Sequence, residues 1–169
     1  MNLKISERIE YYKIVKPILK NEEFQKRKTY LHHGNISVYK HSLKVSKLSY
    51  YVAKKLKCDY KSAAIGGLLH DFYPNPWQEN QIKKTFFKKH GFVHAHEAKI
   101  NSKKYFPDLM NKTIENIIER HMFPLNKIPP KYKEAWIVSM IDKYVSLEVF
   151  LQPKQMVRLI GIRLKTKEV

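Results

Sequence analysis

Apolar positions along this chain recur at spacings of three and four, the period of a helix with one buried face. Ile9, Ile14, Val15 and Ile18 mark the inner face of a first helix, capped by Ser6 and running to about Lys20. Pro17 is expected to kink or shorten it. A charged connector, Asn21 to Lys28, leads into a loop around His32-His33-Gly34-Asn35. Ser37 is a suitable N-cap for a long helix, Val38 to Leu56. Its inward stripe is Val38, His41, Val45, Leu48 and Val52, beside a basic stripe of Lys40, Lys44, Lys47 and Lys54. Asp59 caps the next predicted helix, Tyr60 to about His70, where Ala63, Ala64, Gly67 and Leu68 allow close packing. The segment Phe72 to Trp77 holds two prolines and cannot continue that helix.

Gln78 to Lys89 reads as a lysine-rich helix stopped by Gly91, and His94 to Tyr105 as a separate one ended by Pro107. Lys112 to His121 places Ile114, Ile117, Ile118 and His121 on one face. Pro124, Pro129 and Pro130 make the following segment a rigid loop. The last long helix, Lys131 to about Leu151, turns Val138, Ile141, Asp142, Val145 and Val149 inward. Pro153 opens a short helix to about Leu164, before a charged tail. No internal repeat, low-complexity block or linker divides the chain. The expectation is one all-α domain over residues 1–169, with a core at about 30–151 and the first and last helices packed on it.

Composition narrows the classes. A hydrophobic content of 43% is that of a globular protein. The one cysteine, Cys58, allows no internal disulfide and suits a reducing cytoplasm. The N-terminal residues carry no long apolar run, so no signal peptide is expected. No stretch approaches the ~18 apolar residues of a span, and no membrane partner is expected. The formal charge of +18 favours polyanions. Yet only five basic residues are arginine: Arg8, Arg27, Arg120, Arg158 and Arg163. Sequence readers of nucleic acid rely on arginine's bidentate fork. The lysine excess therefore fits a compositional habit better than dedicated nucleic-acid binding.

The chemistry gathers on apolar faces. His41, His70-Asp71, His121 and Asp142 each stand on, or at the end of, the inner face of a predicted helix. A single buried histidine is usually a satisfied core residue. Several such groups facing one core are harder to explain structurally, because each needs its own partner. Imidazole with carboxylate is a ligand set for Mn, Fe, Co, Ni or Zn.

The order His41 … His70-Asp71 … Asp142, with the doublet after a Gly-Gly-Leu-Leu helix and steps of 29 and 71 positions from His41 to His70 and from Asp71 to Asp142, resembles the HD superfamily of metal-dependent phosphohydrolases. The resemblance covers about Tyr30 to Leu151. It implies a compact HD-domain-like helical bundle with a central site for one or two divalent ions (Mn, Fe, Co, Ni, Zn or Mg). Some members add two histidines and hold two metals. His121 fits one added position. For the other, His94 is favoured over His90 and His96, because the family often shows His followed four residues later by a small residue, here Ala98. His96 would point about 200° away from His94 on a helix. The implied ligands are thus His41, His70, Asp71, His94, His121 and Asp142, with Asp71 as the bridging carboxylate and His70-Asp71 at the heart of catalysis.

His32 and His33 either border the site and contact substrate phosphate or are exposed loop residues. Lys131 is a candidate at the site's mouth, with a solvated face as the plain alternative. The Gly-Tyr-Pro motif of cyclic-dinucleotide-opening members is missing. The implied activity is hydrolysis of a phosphate ester or anhydride in a nucleotide or similar small compound. Two other readings stand beside it: a phosphodiesterase or nuclease on nucleic acid, and a non-catalytic helical module that binds nucleotide or RNA.

Overall fold

A computed structural model describes residues 4–31, 36–74 and 86–150. Seven α-helices run through them: α1 (Ile5–Lys20), α2 (Glu22–Gln25), α3 (Val38–Lys55), α4 (Tyr60–Leu69), α5 (Phe86–Tyr105), α6 (Lys112–Arg120) and α7 (Lys133–Phe150). Two short 3-10 turns, Lys26–Lys28 and Pro107–Leu109, join them. Among the described residues the only extended pairing is an isolated antiparallel bridge between Leu31 and Ser37. The described residues form an all-α bundle.

Local chemistry explains most helix starts. The Ser37 side chain accepts from the Lys40 N–H and opens α3. Asp59 accepts from Ser62 at the start of α4, and Asn111 from Ile114 at the start of α6. Such caps satisfy amides that have no partner inside the helix. Helix α1 differs from expectation: it begins at Ile5, and the Glu7 carboxylate accepts from the Lys4 N–H at 3.0 Å, so Ser6 lies inside. Pro17 does not shorten it, for the helix runs on to Lys20. Ile9 is 52% exposed rather than inward; Tyr11 takes the inner place, its hydroxyl donating to Ser46 Oγ at 2.9 Å.

Helix α3 packs against both α4 and α7, and α6 packs against α4, α5 and α7. One apolar cluster joins Tyr11, Val15 and Ile18 of α1 to Leu68 and Leu69 of α4, Phe72, and Ile114 and Ile118 of α6. A second joins Val45, Ile117, Val138 and Val145, tying α3 to α6 and α7. Each such side chain contributes about 1.5–3 kcal/mol on burial. Helices α3 and α4 approach closely. A Cβ added to Gly67 would lie 3.0 Å from Ser46 Cα, so the two backbones are nearly in contact. Ser42, Ser46 and Ser49 are buried on that side of α3, and their small size permits the approach.

The connector Asn21 to Lys28 is helical and largely folded in: Phe24 is buried, and so is Arg27. Gly91 does not stop a helix. Helix α5 passes straight through it, absorbing the roughly 1 kcal/mol that an interior glycine costs. The last long helix starts two residues later than expected, at Lys133. The expected helix after Pro153, most of the segment Gln78 to Lys89, and His32-His33 lie outside the described residues.

Candidate metal centre

Five helices bring six side chains to one point. His41 lies in the first turns of α3. His70 follows directly on the last residue of α4, with Asp71 beside it. His94 comes from α5, His121 from the end of α6, and Asp142 from the middle of α7. All six are buried, Asp142 being the most open at 8% exposed.

Two histidines are oriented by backbone carbonyls. His70 Nδ1–H donates to Gly67 O at 2.9 Å, and His121 Nδ1–H donates to Ile118 O at 2.7 Å. In each case the carbonyl three residues earlier, left free by the ending helix, fixes the tautomer. Both rings therefore present Nε2 to the centre. His70 Nε2 lies 3.3 Å from Asp71 Oδ2 and 3.5 Å from Asp142 Oδ1, but is hydrogen-bonded to neither. His41 Nε2 lies 2.9 Å from Asp142 Oδ1. On the other side, His94 Nε2 and His121 Nε2 are 3.2 Å apart, and each is 3.6 Å from Asp71 Oδ1.

Asp71 thus turns one oxygen to His70 and the other to the His94–His121 pair. Three overlapping groups have donor atoms within 4.8 Å of one another: His41, His70 and Asp71; His70, His121 and Asp142; Asp71, His94 and His121. Facing lone pairs at such spacing repel unless a cation or proton lies between them. The orphaned Nε2 of His70 makes the same point, because a buried polar atom without a hydrogen bond is costly. The donor set, four imidazoles and two carboxylates, fits a divalent ion.

The electrostatics agree. Burial alone would raise the Asp142 carboxyl, but the hydrogen bond with His41 and the nearby charge of His70 hold it well below its ordinary value. Burial disfavours charge on His70, yet Asp71 and Asp142 outweigh it and raise the ring well above the usual range. His121 goes the other way. Burial, helped by the nearby His70, pushes it down to about 3, so its ring is neutral at physiological pH and its Nε2 lone pair is available.

Neighbouring groups that the sequence did not single out brace the cluster. Lys143 Nζ donates to His121 O at 2.9 Å and to Ser139 Oγ at 2.9 Å, and Ser139 Oγ donates to the same His121 carbonyl at 2.8 Å. Lys143 follows Asp142 directly, which was the available signal. Arg27, fully buried, donates to Tyr73 O at 2.5 Å and lies over the Phe72 ring at 4.4 Å, so it grips the two residues after the doublet. Nothing in a run of Lys26-Arg27-Lys28 distinguishes it.

The other candidates are not among the clustered donors. His96 is exposed and lies 3.6 Å from Glu119, the solvated fate expected of it. Lys131 is exposed; its backbone N–H donates to Asn116 Oδ1 at 2.9 Å and its ammonium lies over the Tyr132 ring. His32 and His33 are outside the described residues.

The family model for the HD domain matches residues 38–147, from the start of α3 to near the end of α7. The chain therefore belongs to the HD domain family. HD domains bind divalent metals, and the family is generally one of metal-dependent phosphohydrolases. No curated protein and no solved structure matches the chain. Among the described residues no helix is long and apolar enough to cross a membrane.

Proposed function

We propose that this protein is a metal-dependent phosphohydrolase acting on a nucleotide or similar small phosphate compound. The observation that carries the reading is the division of Asp71 between two histidine groups, one oxygen 3.3 Å from His70 and the other 3.6 Å from both His94 and His121. Such a carboxylate suits a bridge between two cations, with His41, His70 and Asp142 on one side and His94 and His121 on the other.

Divalent ions held there would stabilise charge on phosphate oxygens and lower the pKa of bound water toward about 7. The chain's own part is orientation and charge. Gly67 O and Ile118 O hold the His70 and His121 rings with Nε2 inward. The apolar packing of α3, α4 and α6 beneath the site lowers the local dielectric and strengthens each charge interaction. The oxygen of water forms a bond to phosphorus, the P–O bond to the leaving group breaks, and a proton of that water passes to the leaving oxygen or to solvent. The exposed ammonium of Lys131, and His32 and His33 beyond the described residues, are the candidates for meeting substrate phosphate.

The test is metal analysis combined with phosphate release from a nucleotide panel, with and without EDTA. His70→Ala and Asp71→Ala are expected to abolish both metal and activity while the chain stays helical. Full activity in either variant, or no activity with Mn, Co, Ni, Fe, Zn or Mg supplied, would defeat the reading. The +18 charge favours one second reading, phosphodiester cleavage in nucleic acid, which the same assay with single-stranded RNA and DNA distinguishes.

A further inference from the structure

Helix α1 precedes the span that matches the HD domain and contributes nothing to the His/Asp cluster. Its inner side is settled, with Tyr11, Val15 and Ile18 buried. Its outer side is not. Ile5, Ile9 and Tyr12 are 76%, 52% and 51% exposed. Spaced by four and three, they form one ridge along the helix. Arg8, Lys13 and Lys16 stand exposed along that side, and Lys47 faces it from α3. Between the two helices the ridge borders an open groove of about 720 Å³, with Leu19 and Leu43 among its walls. Four lining residues are cations and none is acidic.

We propose that this face is a docking surface for an anionic lipid bilayer. Ile5, Ile9 and Tyr12 would enter the boundary between headgroups and acyl chains, while Arg8, Lys13, Lys16 and Lys47 meet the lipid phosphates. An exposed apolar ridge flanked by cations is the pattern of an element that lies in a membrane surface. The whole chain carries +18, so long-range attraction to an anionic leaflet adds to the local charge. Nucleic acid fits less well. Tyr12 and Arg8 offer bases one ring and one guanidinium plane, but the two exposed isoleucines that make up the rest of the ridge offer neither and suit acyl chains instead. The expectation of no membrane partner rested on the lack of a spanning stretch, which bears on crossing a bilayer and not on lying against one.

The test is vesicle flotation with the full chain. One set of vesicles is phosphatidylcholine alone, and the other contains roughly one third phosphatidylglycerol. Binding is expected to the second set only, partly surviving high salt because of the inserted ridge. Ile9→Asp should lower partitioning about tenfold or more, and so should Lys13→Glu combined with Lys16→Glu and Lys47→Glu. All these positions are exposed, so helical content and metal content should match the unaltered protein. The proposal is overturned by absent binding, by equal binding to both vesicle sets, or by variants that partition unchanged. It is also overturned if a short RNA displaces the protein from vesicles and Ile9→Asp binds that RNA and the vesicles as the unaltered chain does.

Discussion

Replacing Gly67 by alanine adds one methyl group where α4 leans on α3. The new Cβ would lie 3.0 Å from Ser46 Cα, 3.3 Å from Ser46 N and 3.5 Å from Ser49 Oγ. Carbon atoms in good contact keep about 3.5–4.0 Å, so α3 has to give way by a few tenths of an ångström. The obstacle is backbone and cannot rotate away. Taken alone, alanine in a helix interior is favoured over glycine by about 1 kcal/mol. Overpacking a tight core costs about 1–3 kcal/mol. The net is a loss of up to about 2 kcal/mol, or as much as about 8 °C in Tm for a chain of this size. The same displacement separates His41 on α3 from His70 at the end of α4, whose rings now lie 5.3 Å apart by their centroids. Thermal melting followed by circular dichroism reads the first effect, and calorimetric titration with Mn or Zn reads the second, expected to be a weakening of about tenfold. A Gly67→Ala variant that melts above the unaltered protein and binds metal equally well would show that the helices are not in this contact.

Asp71→Asn keeps the shape of the side chain but removes charge from both sides of the cluster. It should weaken metal binding by more than the roughly 10–100-fold of an outer-shell change, whereas His121→Ala should affect only the side shared with His94; unchanged metal content in Asp71→Asn, by elemental analysis, contradicts the bridge. Arg27→Ala removes the buried guanidinium from Glu23 at 2.8 Å and from the Tyr73 carbonyl and opens space beside Phe72, while Glu23 keeps only the exposed Lys26 at 2.7 Å. A loss of about 3 kcal/mol in urea denaturation is expected, and a loss under about 1 kcal/mol would mean that the arginine is not buried as described. Glu10 accepts hydrogen bonds from Lys54, from the Tyr50 hydroxyl at 2.7 Å and from the Tyr60 hydroxyl at 2.8 Å, which lower its carboxyl to about 2. Its contribution is present above the unfolded value near 4.5 and is lost as pH falls toward 2. Glu10 is about a third exposed, so screening limits the effect to roughly 1 kcal/mol or less. Glu10→Gln should flatten that stretch of the acid-stability curve, and an unchanged slope would show that the carboxylate is not so held.

Much of the fold was legible because helix period and caps are local properties. Ser37 and Asp59 open α3 and α4 as their side-chain chemistry requires. The errors came where a neighbour decided the outcome. Ile9 was assigned inward from apolar spacing alone, but Tyr11 serves the core better, since its ring packs on Tyr50 and its hydroxyl reaches Ser46. Gly91 looked like a stop because glycine weakens helices, yet a cost near 1 kcal/mol is small beside the apolar contacts that α5 makes through Ala98. Five of the six central side chains, His41, His70, Asp71, His121 and Asp142, stood out because histidine and aspartate on apolar faces are improbable without a partner; His94 was found only through the resemblance to the HD superfamily. Their bracing did not stand out. The carbonyls of Gly67 and Ile118 act through backbone atoms that no residue pattern encodes, and for the ammonium of Lys143 adjacency to Asp142 was the one signal.

The contact between His41 and Asp142 joins residues 101 positions apart. Closing a loop of that length costs chain entropy, and a tie that holds it closed removes that freedom from the unfolded ensemble. Many small proteins obtain such ties from disulfides, but this chain has a single cysteine. With donors drawn from five helices, an ion in the centre would act as a multivalent cross-link on the chain. Loading the site should then raise the resistance of the whole bundle to unfolding, beyond the immediate surroundings of the six ligands.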